Sequence, residues 1–206
     1  MMRTLTSAFF LFSLTVAYAQ EQVKFCYSDR ELMGKNWHVA DDVSVEDKYP
    51  ESSYFGLTFQ AAEKKVDREL RNKALYVSYR DTLYINCNKV YNAPVGVYAK
   101  SIRVGYNMFF VMPYSRIGGL SLSGSIAGLA LGALTGVGFI AYQGISDARP
   151  FLWEMSSETL TVLTPRSMKK LLSVDDELIR QYSKESKERR LSPDVMLSYL
   201  QQLYSY

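Results

Sequence analysis

The sequence predicts an α+β fold: an antiparallel β-meander completed by a later hairpin, with a glycine-zipper helical segment inserted between strands and helices at the C-terminus. Three observations lead there. Between Ala74 and Met112, runs rich in β-branched and aromatic residues are separated by short polar breaks, the signature of strands joined by tight turns. From Ile117 to Ser146 the chain carries no charge, and Gly124, Gly128, Gly132 and Gly136 recur every four residues. Beyond Leu163, apolar residues fall at helical spacing behind cap residues.

The chain opens with Arg3, the apolar run Ala8 to Val16, and then Ala17-Tyr18-Ala19. This is the n-region, h-region and A-x-A pattern of a secretory signal peptide. Residues 1–19 are therefore expected to be removed, and the protein is expected to be exported, to the periplasm or the cell envelope. Cys26 lacks the small residues and the directly preceding apolar run that a lipid-anchored cysteine needs. An exported setting permits a disulfide between Cys26 and Cys87. Two buried unpaired thiols are the other reading.

Residues 20–73 form an N-terminal region with one amphipathic helix. Val23 to Tyr27 has strand character, Gly34 to Trp37 reads as a turn, and Asp41-Asp42 with Glu46-Asp47 reads as an acidic loop. Phe59, Ala62, Val66 and Leu70 then give a stripe at spacings of three and four, so a helix is expected over 58–73. Its other face carries mixed charges with Glu69 and Lys73 in i,i+4 register.

Residues 74–163 are the predicted sheet. Ala74–Tyr79 and Thr82–Cys87 flank Arg80-Asp81, Val97–Val104 alternates, and Gly105-Tyr106-Asn107 turns into Met108–Met112. Four such strands would bury one face, leave tyrosines on the other, and need a cover. Phe151–Met155 and Thr159–Leu163 form a further hairpin around Ser156-Ser157-Glu158. In residues 164–206, Thr164-Pro165 starts a helix carrying Met168, Leu171 and Leu172. A second helix spans 175–184 with Leu178, Ile179 and Tyr182, the charged run 184–190 connects, and Ser192-Pro193-Asp194 starts the last.

The uncharged insertion, 117–146, is the unusual part. Glycine costs roughly 1 kcal/mol against alanine in a helix interior, so four in a stripe need compensation. Close helix packing is the usual one, most often in lipid. The run exceeds the about 20 residues that cross a hydrocarbon core. Three readings compete: a single membrane span, a hairpin returning near Gly132 or Gly136, and a small-residue core helix or linker. A hairpin is favoured if the later strands complete the sheet, because both ends of the insertion must then lie on one side.

Asp81 to Cys87, Tyr98-Ala99-Lys100, Phe109-Phe110-Val111 with Pro113, Leu163-Thr164-Pro165, Asp176-Glu177-Leu178, Tyr182 and Tyr199 to Leu203 are similar to a recurring pattern. From Ala74 onward the chain resembles a domain of unknown function in uncharacterised exported proteins of Gram-negative gut anaerobes. The resemblance implies a glycine-rich apolar segment in the same place, and it brings no catalytic residues.

Net charge is +3, without a basic stripe, which argues against a nucleic-acid partner. No nucleophile elbow, paired histidines or phosphate-cradling loop occurs, so no catalytic, metal or cofactor residue is assigned. His38, the sole histidine, lacks sequence partners, and a thiol hydrolase pairing it with Cys26 or Cys87 is the weakest alternative. The expected role is a non-enzymatic envelope module that meets a membrane, an envelope protein or a second copy through the stripe Gly124, Gly128, Gly132 and Gly136. A membrane-inserting, pore-forming oligomer is the alternative.

Overall fold

A computed structural model describes residues 22–50, 52, 54–91, 96–113 and 148–205. The chain enters as strand β1 (Val23–Cys26), short helix α1 (Asp29–Gly34), β2 (His38–Ala40), β3 (Val43–Asp47), β4 (Phe55–Ala61) and helix α2 (Lys64–Asn72). The meander follows: β5 (Tyr76–Tyr79), β6 (Thr82–Asn86), one-turn α3 (Cys87–Val90), β7 (Tyr98–Val104) and β8 (Asn107–Pro113). The later hairpin is β9 (Ala148–Glu154) and β10 (Thr159–Val162), and helices α4 (Pro165–Leu172), α5 (Asp176–Lys184), α6 (Lys187–Leu191) and α7 (Pro193–Leu203) close the chain.

All described pairings are antiparallel, in the order β10-β9-β8-β7-β6-β5-β1-β2. The mixed fold with a many-stranded antiparallel sheet and mainly C-terminal helices is thus as expected. The later hairpin completes the meander along β8, with Phe110 opposite Phe151 and Pro113 opposite Ala148. The stripe Gly124, Gly128, Gly132 and Gly136, with the rest of 117–146, lies outside the described residues, as do residues 1–19.

Two tight turns hold the register. Val104 faces Asn107 across Gly105-Tyr106, and Gly105 has φ +61°, the first-position glycine of a type II′ hairpin. A side chain there would also meet Tyr204, whose Cβ lies 3.2 Å from the place of the missing carbon. Between β5 and β6, Arg80 and Asp81 both have positive φ, 48° and 56°, a type I′ turn made without glycine or asparagine. Each such residue is strained by about 1 kcal/mol. Asp81→Gly is therefore expected to raise stability by about 0.5–1 kcal/mol, read as a higher urea midpoint. A lower midpoint would show that the aspartate side chain contributes more than its backbone costs.

Strand alternation sorts the core. One sheet face presents Cys26, Tyr76, Ile85, Ala99, Met108, Phe110, Met112, Phe151 and Trp153, all buried. The other presents Val104, Phe109, Val111 and Leu152 beneath Met168, Leu172, Leu178, Tyr182, Met196 and Leu200 of the C-terminal helices. Further along that second face, Phe25, Val77 and Tyr98 lie under Leu70 of α2 and Phe59 of β4. Burial on both faces corrects the expectation of exposed tyrosines: Tyr76 and Tyr98 are fully buried.

The N-terminal region departs most from its reading. The helix expected over 58–73 begins only at Lys64, because Phe55–Ala61 is β4, paired with β3 from Leu57 to Ala61 and with β7 at Phe55 and Leu57. The acidic loop is largely β3, and the turn before Trp37 is the end of α1, with Lys35 in the left-handed conformation. From Val23 to Asn72 the chain thus holds strands of the common sheet beside the amphipathic helix α2. On α2 the Lys73–Glu69 pair forms as read, at 3.7 Å.

The C-terminal starts also hold. Thr164 accepts from the backbone of Ser167, whose hydroxyl reaches back to the Thr164 N–H, a reciprocal cap with proline following. Asp175 itself caps α5 through the N–H groups of Glu177 and Leu178. The connection 184–190 contains the exposed helix α6, capped by Ser186.

Candidate functional site

The insertion leaves the sheet after β8 and the chain rejoins it at β9. Pro113 and Ala148 are register partners at the end of β8 and β9, so their Cα atoms lie about 5 Å apart. The described residues on either side of segment 114–147 are therefore neighbours on adjacent strands. This removes the single-span reading, which needed its flanks on opposite sides of a bilayer. Among the described residues no helix is long and apolar enough to cross a membrane.

Cys26 and Cys87 come next. Both are buried free thiols in the same core cluster. Cys26 is on β1 and Cys87 follows β6, with β5 between them, a separation of about 10 Å at ordinary strand spacing. Bridging needs Cα atoms within about 7 Å, so the disulfide is not formed and the unpaired reading describes both. Burial pushes each thiol up to about 12; for Cys26 the Glu31 carboxylate adds to it. A nucleophilic cysteine needs the opposite shift.

His38, on β2, is the register partner of Phe25 on β1, against whose ring it stacks at 5.4 Å, with Tyr27 at 4.6 Å and Glu31 at 3.9 Å. Phe25 and Cys26 are successive strand residues, so His38 and the Cys26 thiol occupy opposite faces. The Cys–His pairing does not form with either cysteine. No group of three metal-ligating side chains occurs among the described residues.

The most organised polar cluster carries no local mark in the sequence. Asp29, in the first turn of α1, accepts from Tyr76 Oη at 2.5 Å and from Trp153 Nε1 at 3.3 Å. Ser28 holds α1 in place by capping the Glu31 N–H, and Glu31 accepts from the Tyr27 N–H at 2.7 Å. Tyr76 is on β5 and Trp153 on β9, four strand steps or about 19 Å apart in a flat sheet. Both reach one carboxylate because the sheet curls toward this face, with α1 in the concavity. Tyr91 contacting Phe151 at 5.5 Å, from β6's end to β9, reports the same curl.

Burial raises the Asp29 carboxyl above its ordinary range, although the Tyr76 and Trp153 hydrogen bonds pull it down. Asp29 also raises Tyr76, on top of that tyrosine's own burial. A raised folded-state value favours the protonated form, so the contribution is fully present at acid pH and is lost as pH rises through it. Asp29→Asn should therefore compare worst with the wild type near pH 4, about where an ordinary aspartate titrates, and recover as the pH rises. Urea unfolding at rising pH reads this, and a gap that widens with pH would refute the sign.

On the opposite face, a cleft of about 210 Å³ lies between Tyr54, Lys100, Ile102, Phe109, Val111 and residues Asp194 and Leu197 of α7. The Tyr54 hydroxyl donates to Asp194 Oδ1 across it at 3.4 Å.

A family model described as a family of unknown function, DUF6563, matches residues 24–205. The chain belongs to that family. DUF6563 thus takes in the N-terminal region from Lys24 to Lys73, which the resemblance had left aside, in keeping with β1 and β4 being strands of the one sheet. No curated protein and no solved structure matches the chain.

Proposed function

We propose that this DUF6563 protein is a non-enzymatic, exported module of the cell envelope that presents its apolar insertion from a folded sheet domain. The glycine stripe Gly124, Gly128, Gly132 and Gly136 would be the packing element, against a bilayer, an envelope protein or a second copy. One observation carries the reading: Pro113 and Ala148 are paired directly. That is the geometry a two-residue turn closes, so the sheet has no need of the intervening residues to hold its register. Thirty uncharged residues retained at a position where two suffice point to a use outside the sheet.

The test replaces residues 114–147 by Asn-Gly and fractionates both proteins after a carbonate wash. The wild type is expected in the washed membranes, and the short variant is expected to keep its far-UV circular dichroism and move to the soluble fraction. Unfolding of the variant would make the insertion a core element and end the proposal. Release of both proteins would end its membrane form.

A further inference from the structure

The cleft above the second sheet face has a chemistry of its own. Its floor is Phe109 and Val111 of β8, flanked by Ile102 of β7 and Leu197 of α7. Its rim carries two opposite charges, Lys100 and Asp194, both on exposed residues. They are not ion-paired with each other, and Lys100 makes no salt bridge among the described residues. The position follows from the fold. Two covers lie on this face, the β3–β4 ribbon with α2 and the C-terminal helices, and Tyr54 and α7 are where they meet.

Size and charge narrow the occupant. Drug-sized ligands take pockets of about 300–1,000 Å³, so about 210 Å³ suits something smaller. A simple apolar carboxylate would match Lys100 but sit beside the like charge of Asp194, and a simple apolar amine would meet the reverse. A ligand bearing both charges satisfies the whole rim. We propose that the cleft binds a zwitterionic α-amino acid with a large apolar side chain. Its carboxylate meets Lys100, its ammonium meets Asp194 as oriented by the Tyr54 hydroxyl, and its side chain lies on Phe109 and Val111.

The test is a two-dimensional ¹H–¹⁵N NMR titration of the purified chain with L-phenylalanine, 3-phenylpropionate and phenethylamine. L-Phenylalanine should shift the Ile102 and Leu197 resonances saturably, and each analogue, missing one charge, should bind about tenfold more weakly. Lys100→Met and Asp194→Asn should each weaken L-phenylalanine by about the same factor. Both sites are exposed, so the fold survives. Leu197→Trp fills the cleft and should abolish the shifts. Absence of saturation, equal binding of the three probes, or unchanged binding by the variants would overturn the proposal.

Discussion

Phe110→Ala is expected to lower the unfolding free energy by about 4 kcal/mol. The side chain is 1% exposed and its ring stacks on Phe151 at 5.7 Å and 12°. Its neighbours Met108, Met112 and Trp153 are themselves buried. These residues are fixed to a curled sheet, which cannot collapse into the vacated space, so the loss includes a cavity as well as lost transfer free energy. Domain stabilities are only about 5–15 kcal/mol, so the variant should sit near its unfolding threshold at 37 °C. Phe110→Leu keeps most of the volume and should cost less than about 1.5 kcal/mol. Tyr106→Ala, at the exposed turn of the same hairpin, should stay within about 0.5 kcal/mol. Urea unfolding followed by circular dichroism orders the three. A Phe110→Ala loss similar to that of Tyr106→Ala would mean that the concave face is not closed.

That face also shows what was legible beforehand. The runs from Ala74 to Met112 read as strands because their turns are short and polar, and because β-branched and aromatic residues dominate them. The direction of burial did not follow. Met108 to Met112 is apolar at every position, as a strand covered on both sides must be, and periodicity cannot report two covers. The stripe Phe59, Ala62, Val66, Leu70 misled for a related reason. A strand ending at Ala61 and a helix starting at Lys64 happen to keep apolar residues in helical phase across the break. Only Val66 and Leu70 of the four are helical.

Short elements escaped because they carry little signal. Helix α1 has six residues and none is buried. Its value lies in Asp29, which meets Tyr76 across 47 positions and Trp153 across 124. Nothing local marks that carboxylate, since its partners are assembled by sheet curvature. The cleft is equally non-local, joining residues from Tyr54 to Leu197. By contrast, the starts of α4 and α7, Thr164-Pro165 and Ser192-Pro193, were legible, because a start signal lies within a few residues of the helix it opens.

Asn86→Ala is expected to cost about 3 kcal/mol although it removes no apolar packing of consequence. Asn86 is fully buried at the end of β6. Its Nδ2 donates to the Ala74 carbonyl at 2.9 Å and to Tyr98 Oη at 3.4 Å, and its Oδ1 accepts from the Asn88 N–H at 3.1 Å, capping α3. Tyr98 Oη in turn donates to the Leu70 carbonyl at 2.6 Å, near the end of α2. The network therefore ties the last turn of α2 and the chain after it to β6 and β7. Alanine strands the buried Ala74 carbonyl, worth about 1–3 kcal/mol, and removes a cap worth about 1 kcal/mol. Tyr98→Phe leaves the Leu70 carbonyl and one Asn86 Nδ2–H unpaired and should cost about 1–2 kcal/mol. The two substitutions share one hydrogen bond, so the double variant should lose less than the sum, by about 0.5 kcal/mol or more. Strict additivity in urea unfolding would show that Asn86 and Tyr98 act separately. A near-neutral Asn86→Ala would show that water reaches the Ala74 carbonyl and that α2 is held by Leu70 packing alone.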